Sequence, residues 1–177
     1  MEESPKPGVM LLTRYVTKFG SLQEYEKGTL EIIDDDPKHY TYSNMFEVAS
    51  TSKPYEKVAV AKNMEYVLEV VRAEGTSGWR TCAHDEFALV MDGEVEIRLV
   101  KLDEPLVPPE KEGSAAIDGE PSGPKMGIIR ARRGHMALLP ANSAYQFHCE
   151  GVGVVLMQTI EGEDTVFKWA EICRTMA

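Results

Sequence analysis

EFALVMDGEVEIRLVK, residues 86–101, is the most informative stretch of the sequence. Two runs rich in apolar residues flank Asp92-Gly93, and the second, Glu94 to Val100, alternates polar with apolar side chains. Alternation of period two is the mark of a half-buried strand. An Asp-Gly pair between two such runs predicts a tight hairpin, because both central residues of a type I′ turn need positive φ.

Outward from this stretch the chain keeps the same texture. Upstream, EKVAVAKN (56–63) and MEYVLEVVRAEG (64–75) are rich in β-branched and aromatic residues and read as strands. Downstream, MGIIRARR (126–133), HMALLP (135–140), AYQFHCE (144–150) and VGVVLMQTI (152–160) read likewise. Many short strands separated by turns specify an all-β sandwich or barrel. Between them, residues 102–124 are dense in Pro, Gly and acidic residues, which predicts a long insertion able to act as a lid or a partner-binding loop. The remainder is a single domain over 21–177, preceded by an extension or arm over 1–20 with an apolar run that suits an edge strand at 9–19. Ser21-Leu-Gln-Glu24 is a capping box and predicts a helix over 21–28. Asp34 to Asp36 make an acidic turn, and the chain ends in an amphipathic stretch with Asp164 as its expected N-cap.

The composition limits function. With 177 residues, 43% hydrophobic and 27% charged, the chain is of ordinary globular make-up and long enough to bury a core. A net charge of −10 disfavours nucleic acid as a partner, and no apolar run is long enough to cross a membrane as a helix. The start, MEESPKPG, does not read as a signal peptide, so a cytoplasmic location is expected. Cys82, Cys149 and Cys173, an odd set without a CxxC pair, are expected to be free, mostly buried thiols.

Two spacings carry a resemblance. Glu86 is followed six residues later by Gly93, and Gly134 is followed after five residues by Pro140. They match parts of the two cupin motifs, G-x5-H-x-H-x3,4-E-x6-G and G-x5-P-x-G-x2-H-x3-N, and the chain resembles the cupin superfamily. The resemblance implies a double-stranded β-helix, or jelly-roll, barrel with three histidines and a glutamate around one divalent ion. Here the first two histidine positions fall on Arg80 and Cys82 and the third on Tyr145, so only Glu86 remains. A guanidinium has no lone pair to give a metal, and a carboxylate with a thiol and a phenol is a poor non-haem iron site. The expectation is therefore no metal in this chain, with Arg80, Cys82, Glu86 and Tyr145 as pocket candidates. Without a metal, these residues make either a buried, satisfied polar cluster or a pocket for an anionic or phenolic molecule. An alternative uses His84, Glu86 and His148 as a facial triad in a self-sufficient oxygenase or isomerase. It needs a bulge, because regular alternation places His148 on the opposite face from Tyr145. His135 and His39 are assigned no role.

Four longer segments narrow the resemblance: residues 24–50, 53–75, 83–103 and 132–147. Together they resemble the small subunit of the two-subunit hydroquinone 1,2-dioxygenases, sequences sometimes labelled hydroxyquinol dioxygenase. That resemblance implies an Fe(II)- and O2-dependent ring opening of hydroquinones, in which a homologous larger cupin subunit holds the iron. It also implies a hetero-oligomer, with a homodimer of this chain as a further possibility, and a phenolic small molecule near the interface.

Overall fold

The computed structural model of the protein describes residues 20–26, 28, 30–36, 39 and 42–172. Its elements run α1 (Met45–Thr51), β1 (Lys57–Asn63), β2 (Tyr66–Thr76), β3 (Trp79–Cys82), β4 (Glu86–Asp92), β5 (Glu94–Lys101), β6 (Ser114–Ile117), β7 (Lys125–Arg132), β8 (Met136–Leu139), β9 (Ser143–Ile160), β10 (Thr165–Val166) and α2 (Trp169–Ile172). The long strand β9 organises all the rest. Its first part pairs with β3 and β5, and its second part pairs with β2 and β4. Two sheets result, in the order β6-β3-β9-β5-β7 and β10-β1-β2-β9-β4-β8. This is the jelly-roll barrel expected from the cupin resemblance.

The chain crosses between the sheets at three corners. One is the irregularity at Glu74/Gly75, where β2 gives way to β3. A second is the bend in β9 around Cys149–Gly153, and the third is Asp92-Gly93. The expected hairpin is therefore not formed: β4 and β5 do not pair with each other, and both lie along β9. The dipeptide serves the same local need for positive φ, with Gly93 at φ 77. A Cβ there would come within 2.8 Å of the Gly153 Cα, so two corners press backbone against backbone.

Inside the barrel, Val71, Val90, Val95, Ile97, Phe147 and Met157 form the main core with Tyr145. Burial of each such side chain contributes about 1.5–3 kcal/mol. On the outside, α1 lays Phe46, Val48 and Ala49 over Val58, Val70 and Val154. This helix was not anticipated from the sequence, although Asn44 caps it, its Oδ1 accepting the amides of Phe46 at 2.9 Å and Glu47 at 3.4 Å. The insertion is not structureless either: β6 pairs along β3, and Leu102 packs with Trp79, Val100 and Ala144.

Both expected terminal helices need correction. Ser21 Oγ does accept the Glu24 amide at 3.0 Å, but the Ser21 amide donates to the Glu24 main-chain carbonyl at 2.8 Å. That closes a turn, the Leu22 amide is taken by Asp92 Oδ2 at 2.7 Å, and no helix follows in the described residues. At the other end Thr165 and Val166 pair in parallel with Lys57 and Val58, so the chain stays extended and α2 begins only at Trp169. Asp164 caps nothing and pairs with Arg80 instead. The predicted 144–150 and 152–160 strands are one bent strand. The arm and its 9–19 strand, with Cys173, fall outside the described residues, and Cys82 and Cys149 are free and buried.

Candidate functional site

Alternation along β3 and β9 brings Arg80 opposite Tyr145 and places both with Cys82 on the barrel side. Glu86, the first residue of β4, is fully buried below them. Its Oε2 accepts the Tyr145 hydroxyl at 2.7 Å and its Oε1 accepts the Thr159 hydroxyl at 2.6 Å. His84 Nε2 lies 3.1 Å from the Thr159 hydroxyl, and Cys82 Sγ lies 3.1 Å from His84 Nδ1. The thiol also donates to the Gly113 carbonyl at 3.3 Å. Burial, then the neighbouring Glu86, pushes the Cys82 thiol up to about 12. The same two causes, in that order, hold the Tyr145 phenol well above its ordinary value. Thiol and phenol are thus neutral at any physiological pH.

A second polar group lies at the barrel rim, around Ser114 of β6. Arg80 donates through Nε to Ser114 Oγ and through Nη2 to Ser114 O, both at 2.9 Å, and pairs with Asp164. Lys57 Nζ donates to Ser114 Oγ at 3.0 Å and stands 3.0 Å from Glu69 Oε2, an ion pair buried on both sides. That contact is too poorly directed to count as a hydrogen bond, since Glu69 Oε2 has no hydrogen-bond partner, while Oε1 accepts the Thr165 hydroxyl at 2.6 Å. The Arg80 hydrogen bond holds the Asp164 carboxyl below its usual range.

Of the residues singled out from sequence, Arg80, Cys82, Glu86 and Tyr145 do converge. His84 joins them; His148 does not. The β9 strand is regular there, so His148 faces away from Tyr145, bonded to the Thr76 hydroxyl at 2.8 Å and opposite Glu96. The His84, Glu86, His148 triad is not assembled. His135 bonds the Arg132 carbonyl in an exposed turn, and His39 pairs with Asp35 at 2.9 Å. Thr159, Ser114, Lys57 and Glu69 were missed. Glu69 was findable, because in YVLEVV it takes the inward position between Val67 and Val71.

Cys82, His84 and Glu86 present ligand atoms within 4.8 Å of one another, the spacing of a cation site. As the side chains stand, all three are engaged with protein partners. Both Glu86 oxygens already accept hydroxyl protons, and the thiol donates to the Gly113 carbonyl. Glu86 also feels the Arg80 guanidinium. A metal would have to displace two charge-assisted hydrogen bonds and take its place beside that fixed cation.

Comparison with solved structures finds, among others, chains of matching length. A chain of hydroquinone 1,2-dioxygenase from Sphingomonas sp. TTNP3 with 4-hydroxybenzoate bound is 58% identical, with a TM-score of 0.88, over 92% of this chain and 99% of that one. A chain of hydroquinone 1,2-dioxygenase PnpCD in complex with Cd2+ and 4-hydroxybenzonitrile is 52% identical, with a TM-score of 0.86, over 92% and 98%. A longer chain, from PnpCD in complex with Fe3+, is 10% identical with a TM-score of 0.59; the match covers 78% of this chain and 39% of that one, a likeness of fold alone. No family model and no curated protein matches the sequence.

Proposed function

The chain belongs to the hydroquinone 1,2-dioxygenase family of cupin proteins, and we propose that in such an enzyme it is the small subunit, without a metal of its own. The observation that carries this reading is the pair of matches within one enzyme. PnpCD contains a chain that this sequence covers almost completely, and another of which it covers 39%. The longer chain is then the partner that holds iron. Bound there, Fe(II) would supply the activation of O2 for opening a hydroquinone ring.

The work of this chain follows from its own residues. Tyr145 and Thr159 fix the Glu86 carboxylate, and His84 and Cys82 fill the space beside it, so one end of the barrel interior holds a hydrogen-bonded polar brace. A braced barrel offers the partner a fixed wall for its substrate channel, where the phenolic ring would lie near the interface.

The test is co-expression with the longer chain. The complex is expected to carry about one iron per longer chain and to cleave hydroquinone, and the present chain purified alone to carry none at stoichiometric level. Cleavage unaffected by omitting this chain would refute the subunit role. A second reading, a metal enzyme in its own right, is favoured by the Cys82, His84, Glu86 grouping alone. About one metal per chain, lost in the His84→Ala, Glu86→Ala double variant, would establish it in place of the first.

A further inference from the structure

Above the Glu86 network the barrel is not filled. A cavity of about 120 Å³ opens at the rim, walled by Tyr55, Trp79, Tyr145, Phe147, Val71 and Met157, with Arg80 and Lys57 on its polar side. An apolar cavity of about 150 Å³ is known to accept benzene, so this space suits one six-membered ring and is too small for two. The aromatic walls favour a ring by edge and face contacts.

Tyr55 is placed there at a cost. It stands at φ 59, a left-handed conformation that bulky residues seldom adopt. It is held by its amide on the Arg72 carbonyl at 2.9 Å and by its hydroxyl on the Gly75 carbonyl at 2.7 Å. The result is an aromatic ring in the cavity wall, held through its backbone amide and its hydroxyl.

The charges decide what kind of ring. Lys57 is balanced by Glu69 and Arg80 by Asp164, and Glu86 adds a further carboxylate within reach of Arg80. No cation is left over for an anionic ligand, and burying an unpaired carboxylate is expensive. Hydrogen bonding is not exhausted, however: Arg80 uses Nε and Nη2, and its Nη1 makes no hydrogen bond among the described residues. A guanidinium N–H left over can donate to an uncharged oxygen.

We infer that the rim cavity of this chain is a binding site for a neutral single-ring aromatic bearing a hydroxyl, phenol being the simplest, with Arg80 donating to that oxygen and Tyr55 walling the ring. The site lies in this barrel and is independent of the subunit reading.

The full chain, titrated with phenol and with benzoate by calorimetry and by saturation-transfer NMR, tests the inference. Phenol should bind at one equivalent, benzoate at least about 10-fold more weakly, the equivalent of ~1.4 kcal/mol. 2-Naphthol should not compete. Ala116 lines the cavity from the exposed edge strand, in register with Arg80. Ala116→Phe should therefore weaken phenol at least about 10-fold and leave the unfolding midpoint in place. Arg80→Met should weaken it at least about 10-fold, the worth of one hydrogen bond from a charged donor. Absent saturable phenol binding, equal affinity for benzoate, or phenol binding untouched by Ala116→Phe would each overturn the proposal. No ring cleavage is read, so failure here leaves the subunit role standing, and failure of co-expression leaves this site standing.

Discussion

The floor of the barrel and its rim are both polar, and they differ in what they leave over. At the floor, each oxygen of Glu86 has its own hydroxyl donor, and His84 and Cys82 close the network. At the rim, charges are matched in pairs, yet among the described residues Arg80 Nη1 makes no hydrogen bond and the buried Glu69 Oε2 and Trp79 Nε1 lack hydrogen-bond partners. A satisfied buried network is a structural brace, whereas a balanced but incompletely bonded one can still take a neutral ligand. The positions where cupins place metal ligands fall in both regions. Cys82 and Glu86 lie in the brace, and Arg80 and Tyr145 face the cavity.

The strongest way to break the rim is to remove one charge of its buried pair. Lys57→Met leaves Glu69, which is 0% exposed, without its cation. The expected loss is about 3–5 kcal/mol in urea unfolding, and Lys57→Met with Glu69→Leu should recover most of it. A loss below about 1 kcal/mol would mean the two charges are not desolvated as described.

The floor should cost less per change, because each of its donors can be withdrawn singly. Tyr145→Phe or Thr159→Val takes one hydrogen bond from the buried Glu86 carboxylate, for about 1–3 kcal/mol each. Both act on one acceptor, so the double variant should depart from additivity by more than about 0.5 kcal/mol. Strict additivity would argue against a single network.

What the sequence revealed divides along the same physical lines. The longer strands were legible from their β-branched and alternating runs, the short β3, β6 and β10 were not, and the spacing of Glu86 to Gly93 and Gly134 to Pro140 pointed to the barrel. Asp92-Gly93 was legible as a tight bend and not as a corner, because positive φ is a local demand, while the choice of pairing partner belongs to β9, more than 50 residues away. The helix α1 is only seven residues long and draws its stability from packing on Val58 and Val70, which no local pattern shows. Asp164 looked like a cap, and a contact with Arg80 across the fold claimed it. Arg80, Cys82 and Tyr145 could be placed from the motif, but their hydroxyl and serine partners came from strands far away in sequence.

Alkaline titration sharpens the contrast from the floor side. The Cys82 thiol ionises near 9 in the unfolded chain and is pushed up to about 12 in the native one. Between those values the unfolded state has released a proton that the native state retains. The contribution is therefore whole below about pH 9 and lost as pH rises toward 12, at up to ~1.4 kcal/mol per pH unit. Tyr55, raised by burial to about 12, adds to the slope above pH 10. Cys82→Ala should flatten the fall in stability between pH 9 and 10; an unchanged slope would show that the native thiol titrates normally.

The smallest stability effect belongs to the other rim pair, and it tests the charge argument directly. Asp164 is 53% exposed on its side chain, so Asp164→Asn should cost less than about 1 kcal/mol despite the short contact with Arg80. The Asp164 carboxyl sits below its usual range, so what little it contributes is present above the unfolded value near 3.9 and is lost as pH falls through the native one. The consequence for binding is larger than the consequence for folding. Removing this carboxylate leaves Arg80 facing the cavity with Glu86 alone nearby, and the preference for an uncharged ring should shrink. Benzoate should gain at least about 3-fold on phenol in the variant, because the positive charge is no longer spoken for. If the ratio of the two affinities stays where it is in the unaltered chain, the balance of charges is not what selects the ligand.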